Sequence, residues 1–137
     1  YYGFSNSSPY PVQYNGKNYP TSEHLFQAFK YMDNHPEIAE KIRTVSKSPN
    51  DAYWHSQAHS AYQHPDWDRM RTSKMEIALW HKVSQNEDLR LKLLETGDAE
   101  LIHYTDNEFW GVGKNRQGRN EEGKALERVR NGLRGSK

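Results

Sequence analysis

Glu23, Gln27 and Lys30 stand at i, i+4 and i+7, a spacing that stacks an acid, an amide and an amine in one column of a helix. The column spans about 60° of the helix circumference and about two turns of its length. A carboxylate placed this way can move protons. An amine can hold an anion or, once deprotonated, attack an electrophilic carbon. Glu, Gln and Lys are equally ordinary surface helix formers, and a carboxylate in a first turn is stabilised by the helix dipole. Spacing alone therefore leaves two readings, a solvated face or one wall of an active site.

A second stretch with chemical content runs from Thr105 to Asn120 and carries Asp106, Trp110, Gly111, Gly113 and Gly118 among polar residues. Long loops inside a compact domain tend to be functional. The glycines allow close backbone approach to a ligand. Lys114, Arg116 and Arg119 add three cations within six positions, and a helix begins near Asn120 with its positive end toward them. The loop is expected to hold an anion such as a pyrophosphate against its N–H groups, or else to be a solvated basic loop. It lacks the Gly-Lys-Ser/Thr ending of a Walker loop, and no buried strand precedes it as a dinucleotide fingerprint requires. His55 and His59 share a helix face at i, i+4, but no third ligand is placed with them, so no metal is expected.

The elements that must position these groups are mostly helices. Residues 10–14 and 17–19 flank Asn15-Gly16, the strongest short hairpin signal. The first helix is expected over 21–33, with Thr21 or Ser22 as its cap and Leu25, Phe26 and Phe29 facing the core. Short helices follow over 37–44 and from Ser48 to about Tyr62. The longest helix, about 66–85, starts at Pro65-Asp66 and is apolar on two sides, which makes it central. Trp67 in its first turn is a core anchor or a stacking platform. A helix over 86–94 stops at Gly97, a weak strand is expected over 99–104, and a last amphipathic helix starts at Asn120 or Glu121. Tyr1 to Phe4 open the chain as an aromatic cluster.

The 137 residues suit one domain. Hydrophobic residues make up 34% and mean hydropathy is −1.15, so the core must lean on four Trp, nine Tyr and four Phe. Such a core can enclose a partly polar cavity. Nineteen basic and eighteen acidic residues nearly cancel, which removes any argument from global charge for nucleic acid or membrane. The absence of cysteine excludes disulfides, thiol nucleophiles and cysteine zinc sites. No apolar run reaches membrane-span length, and an intracellular protein, cytoplasmic or nuclear, is expected.

Phe4-Ser5-Asn6 followed by Tyr19-Pro20-Thr21-Ser22-Glu23-His24-Leu25-Phe26-Gln27-Ala28-Phe29-Lys30 resembles the opening of the NADAR, or YbiA-like, family. Asp66-Trp67-Asp68 with Met75, the stretch from Leu94 to Leu101, Trp110-Gly111-Val112-Gly113 and the block from Gly118 to Arg130 resemble its later motifs in the same order. Ser7 stands where the family often has a third aromatic.

The resemblance implies a mainly α, single compact domain over 1–137 with N-glycosidase chemistry. It implies no cofactor. It makes Glu23 and Lys30 the catalytic pair and Asn6, Trp67, Asp106, Trp110, Gly111, Gly113 and Asn120 the ligand shell, joined by Ser22, Gln27 and Arg119. The implied substrate is ADP-ribose on a guanine base of nucleic acid. Phosphorylated riboflavin intermediates are the alternative, and a non-catalytic ADP-ribose or NAD module is a third. Glu23 would shuttle protons, and Lys30 would act as a Schiff-base nucleophile or as a fixed cation.

Overall fold

The computed structural model describes residues 2–135; the expectations for Tyr1 and for the last two positions lie outside them. Asn15 and Gly16 both take positive φ, the I′ geometry that joins strands β1 (Val12–Tyr14) and β2 (Lys17–Tyr19) in an antiparallel ladder. Val12 and Tyr19 pair across it and are buried, while the opposite face is open.

Helix α1 (Ser22–Phe29) follows at once. Thr21 caps it: the His24 N–H donates to the Thr21 hydroxyl, whose oxygen lies 2.8 Å from His24 Nδ1. The other His24 nitrogen lies 2.8 Å from the Ser46 carbonyl, tying α1 to the connection between α2 (Pro36–Thr44) and α3 (Pro49–Ala58). The helix ends earlier than expected, with Lys30 as its last cap, because residues 31–34 tighten into turns around the buried Tyr31. The Tyr31 hydroxyl donates to the Ser56 carbonyl at 2.6 Å, closing α3 onto α1.

Helix α4 (Trp67–Gln85) is central as its two apolar sides require: it packs against α1, β1, α5 (Glu87–Glu95) and α6 (Glu121–Gly135). Its core face buries Trp67, Met75, Ala78, Leu79 and Val83. Lys82 is buried in the same row, and its ammonium donates to the Ser5 carbonyl and the Ser8 hydroxyl. A buried ammonium needs such acceptors, and here they fix the N-terminal loop. Thr96 caps α5 and Gly97 takes φ +62°, as its sequence signal indicates.

The strand expected over 99–104 does not form. The segment is a strap held by side chains of α6 instead of a neighbouring strand. Arg130 donates to Thr96 Oγ1 and the Ala99 carbonyl, Glu127 accepts from the Leu101 N–H, and Asn120 serves Leu101 and His103. The polar loop that follows folds onto this strap, with the Val112 N–H on the His103 carbonyl and the Gly113 N–H on the Thr105 carbonyl. Among the described residues no helix is long and apolar enough to cross a membrane.

Glycines set the closeness of this packing. A Cβ at Gly123 would sit 2.2 Å from the Leu101 carbonyl oxygen, and one at Gly118 would sit 2.6 Å from that of Gly111. Gly123→Ala is therefore expected to cost roughly 1–3 kcal/mol by overpacking. Thermal unfolding should show a drop of several degrees, whereas Gly135→Ala, with open space around it, should leave Tm within about a degree.

Candidate active site

Two of the three residues of the column predicted on α1, Glu23 and Gln27, line a cleft of about 230 Å³. Helix α1 contributes Glu23, Phe26 and Gln27, the N-terminal loop contributes Asn6, and α4 contributes Met75. The opposite wall comes from the strap and loop, through His103, Thr105, Asn107 and Trp110, and from Glu122 in the first turn of α6.

Glu23 is held from several sides. Gln27 Nε2 donates to its Oε2 at 2.8 Å, and the Glu23 N–H donates to the Asn6 carbonyl at 3.1 Å. Burial pushes the Glu23 carboxyl pKa up, against the Gln27 hydrogen bond, the Lys30 charge and the Asn6 amide, which favour ionisation. Asn6 is positioned in turn by Ser22, whose hydroxyl donates to its side-chain oxygen at 2.7 Å, and by Met75, whose sulfur accepts from its amide at 3.0 Å. Ser22 is fully buried, so it supports Asn6 and does not itself line the cleft.

Lys30 is also buried, with its ammonium 5.7 Å from the centroid of the Trp67 ring. Burial lowers its pKa, and the Glu23 charge opposes that. Lys30 is not among the residues that line the cleft. Trp67 settles as a core residue, 6% exposed and tilted against Phe26 at 5.3 Å. Trp110 does both jobs: it meets Phe26 edge-on at 5.5 Å and forms part of the cleft wall.

The closing loop departs from expectation. The Gly111, Gly113 and Gly118 amides donate to the carbonyls of Asn107, Thr105 and Val112 at 2.7–3.0 Å. They are spent inside the loop, so the expected backbone cradle for a pyrophosphate is not there. These glycines are needed because the loop folds tightly on itself: a Cβ at Gly111 would lie 2.3 Å from the Thr105 methyl, and Gly113 has φ +72°. Arg119 stacks on Phe109 and pairs with Glu121 at 3.1 Å, and Arg116 lies over Tyr104. The start of α6 carries its own Glu121, which already answers its dipole. Asn120 is buried with both ends of its amide used: Oδ1 accepts from the His103 N–H and Nδ2 donates to the Leu101 carbonyl, each at 2.8 Å. It builds the site and does not line it.

Asp106 is exposed and off the cleft wall, while its neighbour Asn107 is on it. Asn107 Oδ1 accepts from the Phe109 and Trp110 N–H groups at 2.9 Å each, an Asx turn that aims Trp110. A signal was present in the sequence, an Asn three residues before the Trp, but it reads as ordinary turn chemistry.

The larger omission is Glu122. It is 4% exposed, and its Oε2 lies 3.2 Å from His103 Nδ1 without an aligned hydrogen bond. Burial and then the Glu23 charge push its pKa up to about 8, with Lys82 opposing. The cleft thus holds two interacting carboxyl groups from opposite ends of the chain. Gln27 Oε1 is a second buried atom there without a partner.

The model of the NADAR domain matches residues 1–134, and the chain belongs to the NADAR family. Within that class it is 38% identical to the N-glycosidase YbiA of Shigella sonnei over 97% of this chain and 82% of that protein. A riboflavin biosynthesis protein of Vibrio vulnificus is 34% identical over 96% of this chain, which corresponds to 36% of its own length. The NMR structure of YbiA from Escherichia coli matches the fold with a TM-score of 0.85 at 35% identity, covering 96% of this chain and 77% of that one.

The buried carboxyl makes stability depend on pH. Unfolded, Glu122 loses its proton near 4.5; folded, it keeps it to about 8. Between those values the folded state binds more protons, so Glu122 makes stability fall as pH rises. Lys82, lowered to about 8 by burial, acts with opposite sign between about 8 and 10.5. Glu122→Gln removes the first slope. Its Tm relative to the unmodified chain should rise steadily from pH 5 to pH 8, measured by calorimetry at constant ionic strength.

Proposed function

We propose that this chain is an N-glycosidase that hydrolyses a ribosyl C1′–N bond, with Glu23 as the acid–base group. The observation that carries this reading is a desolvated Glu23, oriented by Gln27 and Asn6, on the wall of an open cleft. Its relative in Shigella sonnei is named an N-glycosidase, which agrees. Breaking the bond builds positive charge at C1′ and negative charge on the departing nitrogen. A carboxylate near C1′ stabilises the first.

Lys30 adds a second route. Burial favours its neutral amine. This route requires the Lys30 side chain to turn from Trp67 into the cleft, which it does not line here: if the ribose opens, the amine attacks C1′, the C1′–N bond to the base breaks, and the base leaves with a proton while C1′ is held as a Schiff base. Water then releases the sugar. In its charged form Lys30 instead favours the ionised state of Glu23. Borohydride added during turnover separates the two: an intact-mass increase located at Lys30 supports the covalent route, and no adduct leaves the electrostatic one.

For the substrate, we propose ADP-ribose linked to a guanine base of nucleic acid. Tyr53 lines the cleft, and Trp54 beside it is 66% exposed, 5.1 Å away edge-on, which suits stacking by a nucleobase. The alternative, a phosphorylated ribosyl intermediate of riboflavin synthesis, is favoured by the riboflavin biosynthesis relative from Vibrio vulnificus. An assay for free base with an ADP-ribosylated guanine oligonucleotide and with ribosylated pyrimidine phosphates decides between them. Binding of ADP-ribose without release of base from any substrate would make the chain a binding module.

Glu23→Gln is expected to lower kcat by at least 100-fold while Tm stays within a few degrees. Activity within about tenfold of the unmodified chain corresponds to under about 1.4 kcal/mol of barrier and would remove Glu23 from this role.

A further inference from the structure

The cleft beside Glu23 is not isolated. A second cavity of about 420 Å³ lies next to it, walled by Phe4, Leu101, Ile102, Tyr104 and Leu126. Ser5, His103 and Glu122 line both spaces. The Glu23 cleft alone falls short of the ~300–1,000 Å³ typical of ligand pockets, and with its neighbour it reaches that range. The two spaces differ in chemistry. The first is polar and holds the acid–base group. The second presents aromatic and aliphatic walls suited to a flat heterocycle.

We propose that Glu122 is the catalytic acid that protonates the departing nitrogen, and that the apolar cavity behind it receives the leaving base. The proposal rests on the N-glycosidase reading above. Glu122 sits at the junction, where the C1′–N bond must lie if the sugar faces Glu23 and the base enters the second cavity. Its Oε2 is buried and has no aligned hydrogen-bond partner among the described residues, so it is free to donate to a ligand.

The surroundings suit an acid. The charged and titratable groups that act on Glu122 or adjoin it are Glu23 from α1, Lys82 from α4 and His103 from the strap. Burial and the neighbouring Glu23 keep the Glu122 proton in place to about pH 8, which is what a donor at neutral pH requires. As the C1′–N bond breaks, its electron pair goes to nitrogen, and nitrogen takes the Glu122 proton. The nucleophile at C1′, water or Lys30, gives a proton to ionised Glu23. The pair thus keeps one proton throughout, moved from one carboxyl to the other, and exchange with solvent through the cleft resets it. Lys82 favours the Glu122 carboxylate left behind.

The test uses the ribosyl substrate turned over by the full chain. Glu122→Gln should lower kcat by about 10²–10⁴-fold with KM within threefold, and should remove the basic limb of the kcat/KM profile. Glu122→Ala should regain part of its activity when formate is added, a readout that a structural role would not give. Ile102→Trp, at a 40% exposed position on the apolar wall, should raise KM at least tenfold with Tm unchanged. Glu122→Gln activity within threefold of the parent, an unchanged basic limb, or no formate rescue overturns the acid role. An unchanged KM in Ile102→Trp overturns the base cavity. In each of those cases the N-glycosidase reading stands, because the parent chain is turning over. Absence of base release by the parent from every ribosyl substrate would sink both.

Discussion

The far wall of the site turns on a side-chain amide. Asn120, at φ +53°, bridges the strap by accepting from the His103 N–H and donating to the Leu101 carbonyl. No strand pairs with residues 101–104, so this bridge, with the Glu127 carboxylate on the Leu101 N–H and the Val112 N–H on the His103 carbonyl, holds them beside the start of α6. Both polar ends of a buried amide are satisfied, so the arrangement is stable where a half-paired one would be costly. The bridge fixes His103, and the chain leaving Asn120 fixes Glu122. The Glu121 and Glu122 N–H groups then reach back to the carbonyls of Phe109 and Trp110. The Asn120 bridge and these backbone bonds together bring the far wall of the cleft to face α1.

The charges inside this fold are arranged in opposition. Glu23 and Glu122 are both desolvated, and the Glu23 charge disfavours ionisation of Glu122, while Lys30 opposes the shift at Glu23 and Lys82 that at Glu122. Lys82 has further work, since its ammonium holds the Ser5 carbonyl and Ser8 hydroxyl of the N-terminal loop that carries Asn6. Buried charges of this kind seldom add stability and are expected where proton affinity must be tuned.

Much of this was legible in the sequence, and the gaps have physical causes. The hairpin followed from Asn15-Gly16 because few residues tolerate two positive φ angles in succession. The central place of α4 followed from its two apolar sides, and the Glu23 column from helical spacing. Lys82 and Glu122 were hidden because a lysine late in a helix and a glutamate in a first turn look like dipole partners; only the packing of other elements over them reveals burial. The glycines of 111–118 were visible, but sequence does not say whether a glycine admits a ligand or the chain's own backbone. Here a carbonyl or a side chain of the loop itself fills the space. The family resemblance named the neighbourhood of residues 106–107 but could not tell an exposed aspartate from the asparagine that caps the turn.

The glycine amides of the closing loop are used on carbonyls of the same loop, and Phe109 is stacked by both Arg71 and Arg119. A loop pinned at its glycines, with its aromatic anchor held, has less conformational entropy to lose when a ligand arrives. A ligand entering this cleft would therefore meet a wall whose shape is largely set beforehand, so that fit more than loop ordering would decide what binds.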